Sequence, residues 1–304
     1  YKITSEKLNL NLIVQLDPAG FKELGKIKSK SNSNEDIELI MEGQNFYIKK
    51  IWYQCERGNL ATKKQINFDE IRINSLIIRS PKVFQTQMIS NSKFEAIMEY
   101  VEGNSGSDIA LIGSRKVSVN IKNALSTLIN NNLENSKIRT TENKVFIQKI
   151  DSVIEKIDSD NELIEILKDL KKEFKRDKYL EIPLGPCHGD LTLSNIIISS
   201  SGALNLIDFL PTFIESPLWD IVKLNQDLDY GWSYRNLKGP EKASAKLFFY
   251  NCIPTQLQIF KKVFKREILL FDSLNLARIC PYIKEKSDKY WLLKQIKNSL
   301  KDLS

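Results

Sequence analysis

Cys187-His188-Gly189-Asp190-Leu191-Thr192-Leu193-Ser194-Asn195, continued by Ile196-Ile197-Ile198-Ser199-Ser200-Ser201-Gly202-Ala203-Leu204-Asn205-Leu206-Ile207-Asp208-Phe209, decides how this 304-residue chain reads. Its first part holds the only histidine of the chain in the pattern H-x-D-x-x-x-x-N. Its second part is two apolar, β-branched runs separated by Ser201-Gly202, the signature of a hairpin with a two-residue turn. On such a turn residue 200 faces 203 and 198 faces 205, so Asn195 is expected opposite Asp208, with Cβ atoms about 5 Å apart. An amide oxygen and a carboxylate would then meet five residues from Asp190. Hard oxygen donors with few protein contacts suit magnesium, which keeps water and substrate phosphates in its shell.

Upstream of that stretch the chain is strand-rich. Residues 21–29, 36–42 and 45–52 carry short alternating or apolar runs, separated by the turn-prone 29–34 and by Gly43-Gln44-Asn45. Phe68, Ile71 and Leu76 suggest a helix over 67–77, stopped by Pro81. A strand over 94–101 ends at Gly103, and 103–107 reads as a connector. Beyond it helical spacing dominates, over 143–157, 161–174, 241–249, 255–264 and 288–300; in 161–174 Leu163, Ile166, Leu167, Leu170 and Phe174 share one face. The two strands within 191–209 are the exception. The expectation is a small β-rich lobe, residues 1–98, and a larger helical lobe, 99–304, joined at a hinge near 98–103.

Composition narrows the function. Hydrophobic residues make up 42% and charged residues 27%, ordinary globular usage, so a packed fold is expected rather than disorder. No apolar run exceeds four residues, which excludes a membrane-spanning helix. A single histidine rules out multi-histidine zinc sites. Cys55, Cys187, Cys252 and Cys280 form no C-x-x-C pair and read as reduced thiols. With no basic-then-apolar leader after Tyr1-Lys2-Ile3, a cytoplasmic location is expected; the missing initiator methionine leaves room for a flanking domain. The net charge is +7, and residues 211–304 hold 16 basic against 10 acidic side chains. No nucleic-acid recognition motif accompanies those lysines, so nucleic acid is not an expected partner. A serine hydrolase fails because Gly103-Asn104-Ser105-Gly106-Ser107 lacks the last glycine of G-x-S-x-G.

The chain resembles the aminoglycoside phosphotransferase and choline kinase group. The resemblance rests on His188-Gly-Asp-Leu-x-x-x-Asn195, Leu206-Ile-Asp-Phe209 and Pro217-Leu-Trp-Asp-Ile221. Phe46-Tyr-Ile-Lys49, Glu70 and Ile97-Met-Glu-Tyr-Val-Glu-Gly103 follow in a compatible order. It covers about 21–221 and implies an α+β, bilobal protein-kinase-like fold, with a small antiparallel β-sheet N-lobe and a larger, mainly helical C-lobe. It implies transfer of the γ-phosphate of ATP to a hydroxyl of a small molecule. Asp190 would orient the hydroxyl or accept its proton, and Asn195 and Asp208 would hold magnesium. Lys49, steadied by Glu70, would contact the α- and β-phosphates. The backbone at Glu99 and Val101 would bind adenine, and Asp220 would brace the catalytic loop from a helix start. Phosphoryl transfer needs such groups because it is chiefly positioning and charge neutralisation.

Some assignments have rivals. Strand alternation lets only one of Lys49 and Lys50 face inward; the apolar-apolar-Lys order favours Lys49. Ser31 and Ser33 are the candidates for phosphate contact in a loop, 29–34, that has no glycine. Thr192 stands where protein kinases place a lysine, and Leu210-Pro211 follows Asp208-Phe209 where they place a glycine; both favour a small-molecule acceptor. A sugar, amino sugar, aminoglycoside or choline-like molecule fits the group, and Trp232 and Tyr234 beside Asp227 and Asp229 could cradle an ammonium. The basic last third tilts instead toward a neutral or anionic acceptor. The alternative is a pseudokinase that binds nucleotide and transfers nothing.

Overall fold

Antiparallel strands come first in the structure, a computed structural model that describes residues 22–27, 35–157, 161–283 and 285–303. Strands β1 (Lys22–Ile27), β2 (Glu35–Glu42) and β3 (Asn45–Trp52) pair in sequence. Helix α1 (Cys55–Ile66) and a short antiparallel pair, β4 (Ile71–Ile73) and β5 (Leu76–Arg79), follow. Strands β6 (Val83–Ser90) and β7 (Lys93–Glu99) complete the main sheet, in the order β1-β2-β3-β7-β6. Helix α1 packs on β3 and β7. It approaches so closely that a Cβ on Gly58 would lie 2.8 Å from Cγ of Trp52.

The helix expected over 67–77 is thus found twelve residues earlier. The side chains that α1 buries are Cys55, Ala61, Thr62 and Gln65, with Gly58. Small and polar residues make that face, so no apolar period betrays it. Ile71 and Leu76 belong to β4 and β5 instead, and Asn74 takes the left-handed turn between them with φ 54°, a conformation that asparagine tolerates well.

Residues up to Asn104 group with Ile196–Pro211 into one compact unit, and Ser105–Asn195 with Thr212–Ser304 into a second. The 196–211 ribbon therefore belongs with the strand-rich unit, although it lies in the stretch that the sequence gives to the helical one. Within the ribbon Ile196 pairs with Leu206, Ile197 with Asn205 and Ile198 with Leu204. Leu204–Leu206 also lies parallel to β5, Leu204 against Ile78. This register is one residue out from that of a two-residue turn. Gly202, at φ 83°, takes the left-handed place in a three-residue loop; its N–H donates to Ser199 O at 2.9 Å, and Ser199 N–H donates to Ala203 O at 3.1 Å. The expectation that Asn195 stands directly opposite Asp208 is corrected accordingly. Asn195 ends a 3-10 turn and Asp208 lies past its strand, so neither is in the ladder.

The second unit is helical. Asn161–Lys175 buries Leu163, Ile166, Leu167, Leu170 and Phe174, the face its spacing predicts. With Lys144–Ile154, Pro217–Leu228, Lys265–Ala277 and Lys286–Leu303 it surrounds a core in which Phe146 stacks on Phe174, and Trp219 on Phe271, at centroid distances of 5.1 and 5.0 Å. Each such side chain contributes roughly 1.5–3 kcal/mol by burial. The central helix starts where the sequence dictates: Ser216 accepts a hydrogen bond from Leu218 N–H, and Pro217 takes the first helical position. Lys137–Glu142 and Tyr179–Leu184 form a separate antiparallel pair. The four cysteines are buried thiols, none in a disulfide, and among the described residues no helix is long and apolar enough to cross a membrane.

Candidate functional site

In the strand-rich unit the even positions of β3 carry the chemistry. Ile48, Lys50 and Trp52 share the face that lines a cavity of about 230 Å³, together with Ile37, Met98, Val101 and Ile197. Lys50, Glu99 and Asp208 are the charged residues of an otherwise largely apolar wall. Lys50 Nζ lies 2.7 Å from Asp208 Oδ1 and 2.8 Å from Glu35 Oε2, and 4.9 Å from the centre of the Trp52 ring. Sheet register explains Glu35: it pairs with Trp52, as Ile37 does with Lys50, which puts it diagonal to Lys50 on the same face. Burial alone would push the Lys50 ammonium down; the carboxylates of Asp208 and Glu35 outweigh it and hold it above the usual lysine range. Asp208 is bent into position, with a φ of 60°. Phe209 packs on Phe68, and Lys64 Nζ donates to Leu210 O at 2.9 Å, which fixes the chain just beyond it.

Glu99 and Val101 line the same cavity. The Glu99 carboxylate takes two hydrogen bonds from Arg79, at 2.8 and 2.7 Å, and its N–H donates to Lys82 O.

In the helical unit Asp190 sits in a loop held by the Pro217–Leu228 helix. Asp220, 1% exposed, accepts from His188 N–H at 2.7 Å and from Gly189 N–H at 2.8 Å. Two successive amides can turn to one carboxylate because Gly189 adopts φ 90°. Asp190 N–H in turn donates to His188 Nδ1, which makes the lone histidine a buried post of the loop. Asn195 Nδ2 donates to Asp190 O at 2.8 Å and to Asp190 Oδ2 at 2.9 Å, so the amide nitrogen is spent on the loop and the amide oxygen is left. Lys223 Nζ lies 2.9 Å from Asp190 Oδ1. Burial would raise the Asp190 carboxyl, but Lys223 outweighs it and holds the group ionised, below the ordinary aspartate range. Asp227, fully buried, accepts from Leu193 N–H and Ser233 Oγ; burial pushes its carboxyl up to about 6.

Asp208, Glu99 and Val101 of the expected set therefore gather at one cavity, and Asp190 and Asn195 are hydrogen-bonded neighbours. Lys50, and not Lys49, lines that cavity. The Lys49 ammonium lies 3.7 Å from Glu38 and 3.6 Å from Glu95. The residue order concealed what strand alternation reveals, that Lys50 shares a face with Ile48 and Trp52. Glu70 is on no helix; it precedes β4 and pairs with Arg72. Glu35, from β2, is the glutamate that pairs with Lys50. Ser31 and Ser33 lie outside the described residues. The Trp232 ring already carries a cation: the Arg235 guanidinium stacks 3.5 Å from its centre and is bound by Asp288, while Tyr234 is buried. Glu35 and Lys223 escaped the sequence reading altogether.

No protein-family model matches the sequence, and no curated protein matches it. Among solved structures it is similar to aminoglycoside phosphotransferase APH(4)-Ia, at 12% identity over 92% of this chain and 94% of that one, with a TM-score of 0.60. It is also similar to the amicoumacin kinase hAmiN in complex with AMP-PNP and Ca2+, at 12% identity, 96% and 91% coverage and a TM-score of 0.59. Choline kinase LicA from Streptococcus pneumoniae follows at 18% identity, 92% and 93% coverage and a TM-score of 0.50. These likenesses establish the fold: the α+β arrangement implied by the sequence motifs is the one the chain adopts.

Proposed function

We propose that the chain is an ATP-dependent kinase that phosphorylates a hydroxyl of a small molecule. The observation that carries this reading is the buried Lys50 ammonium, bonded to Asp208 at the polar part of an otherwise apolar cavity. An apolar slot beside a fixed cation and a carboxylate suits a nucleotide, whose base is flat and whose phosphates need neutralising. Fold neighbours support it, since APH(4)-Ia has a complex with ADP and hygromycin B, and hAmiN one with AMP-PNP.

In this reading the cavity takes adenine, with the Glu99 carbonyl and Val101 N–H as its partners, and Lys50 contacts the phosphates with Glu35 steadying it. Asn195 offers an amide oxygen and Asp208 a carboxylate oxygen not used by Lys50, a donor set that suits magnesium; the ion would neutralise phosphate charge. Asp190, kept ionised, accepts a hydrogen bond from the acceptor hydroxyl and aims its oxygen. The oxygen–phosphorus bond forms as the bond from Pγ to the bridging oxygen breaks. The electron pair leaves on ADP, and the hydroxyl proton is released to water. The covered Trp232 face argues against a choline-type ammonium cradle there.

The test is ADP formation from MgATP across sugars, amino sugars, aminoglycosides, choline and ethanolamine, run beside nucleotide-induced thermal stabilisation. Asp190→Ala should lower turnover by roughly 10²–10⁴-fold while the stabilisation persists. Stabilisation without ADP formation from any acceptor would replace this reading with that of a nucleotide-binding scaffold. Undiminished turnover in Asp190→Ala would remove Asp190 from the mechanism.

A further inference from the structure

One face of the Pro217–Leu228 helix grips the Asp190 loop at three successive points. Asp220, Lys223 and Asp227 are spaced i, i+3, i+7, which puts them on a common stripe. Their partners run in the same order along the loop: Asp220 takes the amides of 188 and 189, Lys223 the side chain of 190, Asp227 the amide of 193. The outer two grips hold backbone. The middle one holds the carboxylate itself, through a lysine whose side chain is only 13% exposed.

We propose that Lys223 is a positioning residue for phosphoryl transfer: it fixes the rotamer of Asp190 and offsets its negative charge while charge gathers on the transferring group. This rests on the kinase reading above. A bare carboxylate beside a polyphosphate is repelled by it and free to turn. Here Oδ1 is held by Lys223 and Oδ2 by Asn195, so both oxygens are anchored and the carboxylate plane is set. An ammonium 2.9 Å from a partly desolvated carboxylate offsets charge that would otherwise repel the polyphosphate. The lysine comes from a helix 33 residues beyond Asp190, so no local loop motif announces it. Asp227, further along the same stripe, is an acid that accepts from Leu193 N–H and Ser233 Oγ, so the cation that this stripe presents to Asp190 is Lys223.

The test measures hydrolysis of MgATP to ADP and phosphate, with water as the acceptor, so that the natural acceptor need not be known. Lys223→Met should reduce kcat by about 10–100-fold, leaving the KM for MgATP and the MgATP-induced rise in Tm within twofold and one degree of wild type. Lys223→Arg should recover at least a third of the lost rate. In a double-mutant cycle with Asp190→Asn the Lys223→Met loss should vanish, because the lysine acts only through the carboxylate. Lys223→Gln serves for the same cycle if the methionine variant does not fold. A wild type that forms no ADP, with water or with any acceptor of the panel above, sinks the kinase reading and this inference with it. A wild type that turns over overturns the inference alone in two cases: Lys223→Met matches it, or the Lys223 loss persists in full in the Asp190→Asn background.

Discussion

In the strand-rich unit the cation is the fixed partner of its ion pair: Lys50 has a side chain 6% exposed and is pinned by Glu35, whereas Asp208 is 38% exposed. In the helical unit the anion is fixed instead, Asp190 being anchored through both oxygens and through the backbone on either side. The difference follows from the elements that present the charges. A strand offers one side chain of every two to a face, so Lys50 depends on the neighbouring strand for its second acid. A helix stripe offers three groups in a row and can hold a whole loop. The first arrangement suits gripping a ligand, the second aiming a reacting group. Substitutions should therefore separate into those that weaken nucleotide binding and those that slow turnover.

Three tests put that division at risk. The largest effect is expected from Asp220→Ala, which orphans two buried amides at about 1–3 kcal/mol each; the midpoint of urea unfolding should drop and turnover with it, at unchanged affinity for MgATP. Weakened nucleotide affinity in that variant would erase the distinction. Next, Lys50→Met should abolish the MgATP stabilisation, about 2.7 kcal/mol at a hundredfold excess over Kd, which Lys49→Met should retain. The opposite result in differential scanning would restore Lys49. The smallest contrast pairs two glutamates: Glu35→Gln should weaken MgATP binding a few-fold by calorimetry, and Glu70→Gln should change neither binding nor, beyond about 0.5 kcal/mol, stability. Equal effects would show that Lys50 does not need its strand-borne acid.

Much of this was legible in the sequence, and what was not failed for physical reasons. The 188–195 motif, the ribbon after it and the apolar stripe of 161–174 each carried a local rule that the fold obeys. Helix α1 could not be read because Gly58, Ala61, Thr62 and Gln65 pack by closeness of approach, which leaves no apolar period. The ribbon register slipped by one because Ser-Gly suits two loop lengths, and only the Gly202 amide reveals which. Choosing between Lys49 and Lys50 needed the face on which Trp52 lies. Lys223 and Glu35 act at long range, where spacing along the chain says nothing.

The 196–211 ribbon also constrains synthesis. Leu76–Arg79 is paired to Leu204–Leu206, and Phe68 packs on Phe209, so the strand-rich unit is discontinuous in sequence. A ribosome must release more than a hundred further residues after Asn104 before that unit can close. A fragment ending at the apparent boundary would lack its last two strands and Asp208, one of the two acids that answer Lys50. The first third of this protein must wait for a segment made two-thirds of the way along.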